Sequence, residues 1–275
     1  MLRRFLVILF PLLTVGPLPA FQHQDSSALN RNEPRIKQDF NHFINSGINL
    51  ITAPADFSGS DWLNTGLAAG GTALLFLTDK EIKKISLRSR SKFNDAVFSV
   101  DKTKLNFPMG LIGAGIYGWG YFKKNGRIRT TGLQCMEAYF YTGMISGLFK
   151  FAFGRRRPYA GESHIFFKPW RVTRDRYQAM PSSHSSTSFA VLTVLAKSTE
   201  NVCWKSLYYG TAGLISAARV YHNRHWLSDV FAGSVLGYAI GSFIVNSDKD
   251  EQKIFGLKSG WIISANGIGL QVYLD

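Results

Sequence analysis

Residues 218–229 read Ala218-Arg-Val-Tyr-His-Asn-Arg-His-Trp-Leu-Ser-Asp229 and separate two apolar stretches, Ser206 to Val220 and Trp226 to Val245. Helix-length apolar runs broken by a short polar segment predict two helices with this segment at their junction. His225 stands four residues before Asp229. On a helix that spacing lets the carboxylate hold one imidazole nitrogen as N–H and leaves the other with its lone pair, a nucleophile. Taken alone, the pattern fits a surface His–Asp pair equally well.

Outward from this segment, similar runs recur at Trp62 to Thr78, Leu105 to Phe122, Thr130 to Phe149 and Ser185 to Ala196. Their Gly, Ala and aromatic residues suit close helix packing, and the chain reads as all-α, a bundle of about six core helices. Residues 62–247 form the main domain in this reading. Residues 21–61 are a polar lead-in with an amphipathic helix from Ile36 to Ile51, where Phe40, Phe43, Ile44, Ile48 and Ile51 keep helical spacing. In the tail, residues 248–275, the alternation of Ile268, Leu270, Val272 and Leu274 after Asn266-Gly267 predicts a short β-hairpin.

Lys and Arg number 32 against 18 Asp and Glu, a formal charge of +14. That balance favours anionic partners: nucleic acid, phospholipid or phosphorylated metabolites. No zinc-finger spacing, RNP-type signature or long basic run occurs, which places nucleic acid last. Residues 1–20 read as an export signal, with Arg3 and Arg4 as the basic region, Phe5 to Val15 as the apolar region and Ala20 as the small residue before cleavage. Gly16 offers an alternative end, and an uncleaved anchor is the alternative reading. The destination is then the bacterial cell envelope, on the periplasmic side. Cys135 and Cys203 lie in apolar segments and read either as a disulfide or as two buried thiols.

A membrane span needs about 20 apolar residues, and the runs here fall slightly short. Mean hydropathy is −0.03. With a cleaved signal and three spanning runs, Lys150 would emerge on the cytoplasmic side, away from an exported site. The expectation is an exported helical globule resting on a membrane, with an integral membrane protein as the alternative.

Two further segments carry chemistry. In Lys150-Phe-Ala-Phe-Gly-Arg-Arg-Arg157-Pro158, Lys150 and Arg157 are seven apart, and Gly154 and Pro158 end the helix between them. Alone, this is also a basic helix end favoured by the macrodipole. In Pro181-Ser182-Ser183-His184, serines precede an apolar run and mark a helix N-terminus, whose free N–H groups suit an anion. Alone, it is also ordinary capping beside an exposed His.

In this order the three segments resemble the type 2 phosphatidic acid phosphatase (PAP2) family, related to class A acid phosphatases and vanadium haloperoxidases, whose pattern is K-x6-RP, PSGH and SR-x5-H-x3-D. Every charged and imidazole position matches. Ser183 stands for the Gly of the second motif and Ala218 for the Ser of the third. The resemblance spans about Trp62 to Val245. It implies a PAP2-like helical bundle in which Lys150, Arg157, Arg219, Ser182 and the amides around Ser183 cradle a phosphoryl group. It also implies that His225 attacks phosphorus, Asp229 orients His225 and His184 protonates the leaving oxygen, with no cofactor and no metal. Arg155, Arg156, His222 and Arg224 read either as supporting groups or as a solvated basic rim. The expected partner is a phosphorylated lipid or small phosphoester. A haloperoxidase using the same site, and a non-enzymatic envelope protein that binds anionic lipid, are the competing readings.

Overall fold

The computed structural model describes residues 35–103, 106–161, 163–170, 174–251, 257–264 and 267–274. The export signal expected in residues 1–20 lies outside them. Eight α-helices occur among the described residues: α1 (Arg35–Thr52), α2 (Gly59–Arg88), α3 (Lys92–Val97), α4 (Asn106–Phe122), α5 (Gly126–Phe153), α6 (Ser183–Lys197), α7 (Val202–Tyr221) and α8 (Leu227–Glu251). Strand β1 (Leu257–Ser264) pairs antiparallel with β2 (Gly267–Leu274), with Ser264 opposite Gly267. The body of the chain is all-α, as the periodicity predicts.

Helix α2 begins at a capping box, in which Ser58 Oγ accepts the Asp61 N–H and Asp61 Oδ2 accepts the Ser58 N–H at 2.9 Å. It continues ten residues beyond Thr78, where the apolar run stops, because no Gly or Pro interrupts residues 79–88. Helix α3, capped by Ser91, is too short for periodicity to reveal.

Helix α6 is the axis of the bundle and packs against α4, α5, α7 and α8. Its first turns are rich in hydroxyls that are nonetheless buried: Ser185, Ser186, Thr187 and Ser188. They remain inside because most bond back into the preceding turn, Thr187 Oγ1 to the Ser183 carbonyl at 2.8 Å and Ser188 Oγ to that of His184. Small residues on α8 let the two backbones approach. A Cβ on Gly233 would stand 2.6 Å from the Ser182 carbonyl oxygen, so a side chain there would push α8 off the start of α6.

The outer surface is unusually apolar. Leu63, Leu67, Leu74 and Leu77 form one stripe of α2, and Leu111, Trp119 and Phe122 one of α4, all more than half exposed. Phe140, Met144 and Leu148 continue the pattern on α5. Among the described residues one helix, over Leu227–Ser247, is long and apolar enough to cross a membrane by length and composition, and half of it is buried within the bundle. Cys135 is buried and Cys203 exposed, both free, so they neither pair nor form two buried thiols.

Candidate active site

The site is assembled where α5 ends, α6 begins and α7 turns into α8. Helix α5 terminates at Gly154, which adopts φ 57° and ψ 36° and returns its N–H to the Lys150 carbonyl. A side chain at Gly154 would collide with the Lys168 carbonyl, which folds back to receive this turn. Lys150 thus stands on the last helical turn. Arg157, three residues past the cap, is extended and leads into the short 3-10 turn Pro158–Ala160. Helical spacing therefore does not align the two; the reversal at Gly154 brings them to one place.

Opposite them, the N–H groups of Ser183, His184 and Ser185 lie at the open first turn of α6, where a helix has no internal acceptors. The Ser182 N–H is not free for a ligand. It donates to the Asp229 backbone carbonyl at 3.0 Å and pins the start of α6 to the start of α8.

Helix α7 ends at Tyr221, and the next residues turn through Asn223 in the left-handed region, φ 56°. The Arg219 carbonyl accepts the Arg224 N–H at 3.0 Å and the His225 N–H at 3.3 Å, so the helix bearing Arg219 also holds the loop bearing His225. His225 is 2% exposed. Its Nδ1 lies 2.7 Å from the Ala179 carbonyl oxygen. A carbonyl only accepts, so Nδ1 carries the proton and Nε2 the lone pair.

Asp229 is arranged differently from its sequence spacing. His225 precedes α8, so helical i, i+4 geometry does not apply, and the carboxylate is 3.7 Å from Nδ1. Asp229 Oδ2 instead accepts the Trp226 N–H at 2.9 Å, an N-terminal cap for α8, and Oδ1 accepts from Arg155 Nη1 at 2.5 Å. The tautomer is set by Ala179, and Asp229 is a fixed carboxyl beside the ring, pushed up to about 6 by burial and held from going higher by Arg155, so it is anionic above that pH. No sequence signal marks Ala179, because its contribution is a backbone carbonyl.

Three basic groups, Lys150, Arg157 and Arg219, act on both histidines, and burial together with Arg157 pushes the Lys150 ammonium itself down to about 7. Burial, reinforced by Arg157, Arg219 and Lys150, holds His225 well below the ordinary imidazole range. Burial and the same three cations push His184 down to about 3. Both rings are therefore neutral, and the surplus charge belongs to side chains that suit an anion. Arg157 Nη2 meanwhile pairs at 2.9 Å with Asp175, an exposed carboxylate that also accepts from Tyr159 Oη at 2.6 Å.

The four flanking residues separate. Arg155 is fully buried among carboxylates and is no rim residue. Arg156 lies over the Phe166 ring at 3.6 Å. His222 Nε2 donates to the Phe98 carbonyl at 2.9 Å, which turns it away from the site, and Arg224 is exposed over Tyr159. Asp79, on α2, joins Arg155 and was not selected from sequence, although a carboxylate at the end of an apolar run is the signal that could have found it.

Residues 132–253 match the PAP2 superfamily model. That segment, less than half of the chain, is where the likeness to the PAP2 superfamily lies. It holds every site residue named above except Asp79. Lipid A 1-phosphatase of Porphyromonas gingivalis is 24% identical over 173 residues, covering 61% of this chain and 34% of that protein. A PA-phosphatase related-family protein of Dictyostelium discoideum is 29% identical over 143 residues, 46% of this chain and 52% of the relative. The chain thus spans a third to a half of the length of these curated relatives. Among solved structures, Aquifex aeolicus LpxE gives a TM-score of 0.43 at 18% identity, covering 61% of this chain and 94% of that one. The transmembrane PAP2 type phosphatidylglycerolphosphate phosphatase of Bacillus subtilis gives 0.42 at 18%, covering 78% and 98%.

Proposed function

We propose that the protein is a metal-independent lipid phosphatase that works through a phosphohistidine on His225. The observation that carries this reading is His225 itself: buried, with Nδ1–H committed to Ala179 and Nε2 left as a lone pair under the field of three cations. The cations would hold the non-bridging oxygens of a phosphate, with the open amides of α6 as further donors. Nε2 attacks phosphorus as the bond to the leaving oxygen breaks, and His184 gives that oxygen its proton. Water then attacks the phosphorus, His184 takes the proton back, the P–N bond breaks and inorganic phosphate leaves. Lys150, Arg157 and Arg219 offset the phosphoryl charge throughout, the work a divalent ion does elsewhere. Ser183 adds a hydroxymethyl group beside the phosphate cradle, and Ala218 is buried.

The outward apolar stripes favour a lipid substrate and a membrane-associated protein, since helices apolar on all sides are stable only inside protein or lipid. Phosphate release from lipid phosphomonoesters and diphosphates in mixed micelles, compared with soluble phosphoesters, tests the reading. Turnover should persist in excess EDTA and be blocked by vanadate. Strict dependence on an added divalent ion would overturn it. Carbonate washing should leave the protein in the membrane pellet, and full release would show that lipid does not cover the stripes.

The two histidines set a pH dependence. His225 must be neutral to attack and is so well below the ordinary imidazole range, so the acid limb belongs to Asp229, whose carboxyl burial pushes up to about 6. His184 must be protonated to act, yet burial and the basic groups around it hold it neutral. The proton therefore arrives on the substrate, as a phosphate monoanion with pKa about 6. kcat/KM should fall tenfold per pH unit above about 6. A flat profile from about pH 6 to about 9 would contradict this proton route.

A further inference from the structure

Asp79 lies on α2, outside the segment that matches the family, yet it closes a buried network that ends on Asp229. Asp79 Oδ2 accepts from Arg155 Nη2 at 2.6 Å and from Ser228 Oγ at 2.6 Å, and its Oδ1 accepts the Ser228 N–H at 3.0 Å. On the other edge of the guanidinium, Nη1 donates to Asp229 Oδ1 at 2.5 Å and to Ser228 Oγ at 2.7 Å. The remaining donors, Nε and Nη2, reach the His164 carbonyl at 3.0 and 2.6 Å. All five N–H groups of Arg155 are thereby matched. Asp79 is 1% exposed, and Arg155 and Asp229 are fully buried.

The charges decide what this arrangement does. One guanidinium between two carboxylates leaves one net negative charge beside His225. Without Asp79, Arg155 would be compensated by Asp229 alone, and the pair would present no net charge to the ring. A histidine that takes a phosphoryl group at Nε2 while Nδ1 keeps its proton becomes cationic, and in a buried site a fixed anion at 3.7 Å stabilises that charge strongly. We propose that Asp79 is a positioning residue of the active site: by neutralising and orienting Arg155, it leaves Asp229 with an effective negative charge facing His225. The proposal rests on the reading of His225 as nucleophile. It makes α2 part of the catalytic apparatus rather than only a flanking helix.

A double-mutant cycle on the full-length protein tests it. Asp79→Asn keeps one acceptor oxygen, for Arg155 Nη2 and Ser228 Oγ, loses the one that accepts the Ser228 N–H, and removes the charge; it should lower kcat about 10-fold with KM within about 2-fold. In an Asp229→Asn background, the same change should cost less than about 2-fold, because the group through which Asp79 acts is already gone. A structural staple alone would instead lower thermal stability and multiply with Asp229→Asn. Wild-type kcat in folded Asp79→Asn, or full multiplicativity, overturns the proposal. Should Asp79→Asn fail to fold, Ser228→Ala breaks the hydroxyl link to the same network and carries the same cycle, with about 3-fold expected in kcat and no added loss on Asp229→Asn. If the wild type releases no phosphate, or His225→Ala is fully active, the phosphohistidine reading fails. If His225→Ala is inactive and Asp229→Asn slow while Asp79→Asn is unaffected, the role of Asp79 alone fails.

Discussion

The wild type is expected to accumulate an acid-labile, base-stable phosphoenzyme under rapid quench, and His225→Ala is expected to abolish it and to lower kcat by about 10³-fold or more. The large effect follows from how the ring is held. Its Nδ1–H is bound to the Ala179 carbonyl, so Nε2 is the only lone pair the ring offers, and a water filling the space left by the ring would be a far weaker nucleophile. Removing the imidazole takes away the proposed nucleophile while Lys150, Arg157, Arg219 and His184 remain. Substrate binding should therefore survive, while thermal unfolding should move down, since the Ala179 carbonyl loses its donor and a cavity replaces a buried ring, a cost of about 1–3 kcal/mol or more. A folded His225→Ala protein with wild-type turnover would exclude a phosphohistidine.

Arg155→Met should be the most destabilising single change near the site. It leaves Asp79 and Asp229 as two buried carboxylates without their shared cation, and breaking a buried pair in this way costs about 3–5 kcal/mol. Arg155→Lys should recover only part of that loss, because one ammonium cannot replace five donors directed at His164, Asp79, Ser228 and Asp229. The guanidinium is also stacked 4.1 Å from the Phe76 ring centroid, a contact that a lysine does not reproduce as a plane. Thermal unfolding in detergent measures the change, and a midpoint equal to wild type would show that the network is not holding α2 to the site. Loss of fold in Arg155→Met with a stable His225→Ala would separate the residue that supports the site from the one proposed to react.

The helices and the basic, imidazole-rich character of the site were legible in the sequence because both are local or additive properties. Runs such as Leu105 to Phe122 show their helical character without neighbours. Lys150, Arg157, His184, Arg219, His225 and Asp229 could be picked out because the chemistry needs those residue types and few others serve. Gly154 and Pro158 announced the helix end between the first two. Only the tertiary structure decided how these residues act together. Arg157 and Lys150 meet through a chain reversal, not a helical face. Asp229 caps α8 and binds Arg155, whereas the imidazole is oriented by a backbone carbonyl that carries no side-chain signature. Arg155 and Arg156 are adjacent identical letters, yet the first is fully buried against two carboxylates and the second lies over Phe166. Asp79 is separated from Asp229 by 150 residues and is joined to it through Arg155 and Ser228. Such pairings depend on which helices pack side by side, and residue type and local spacing do not encode that.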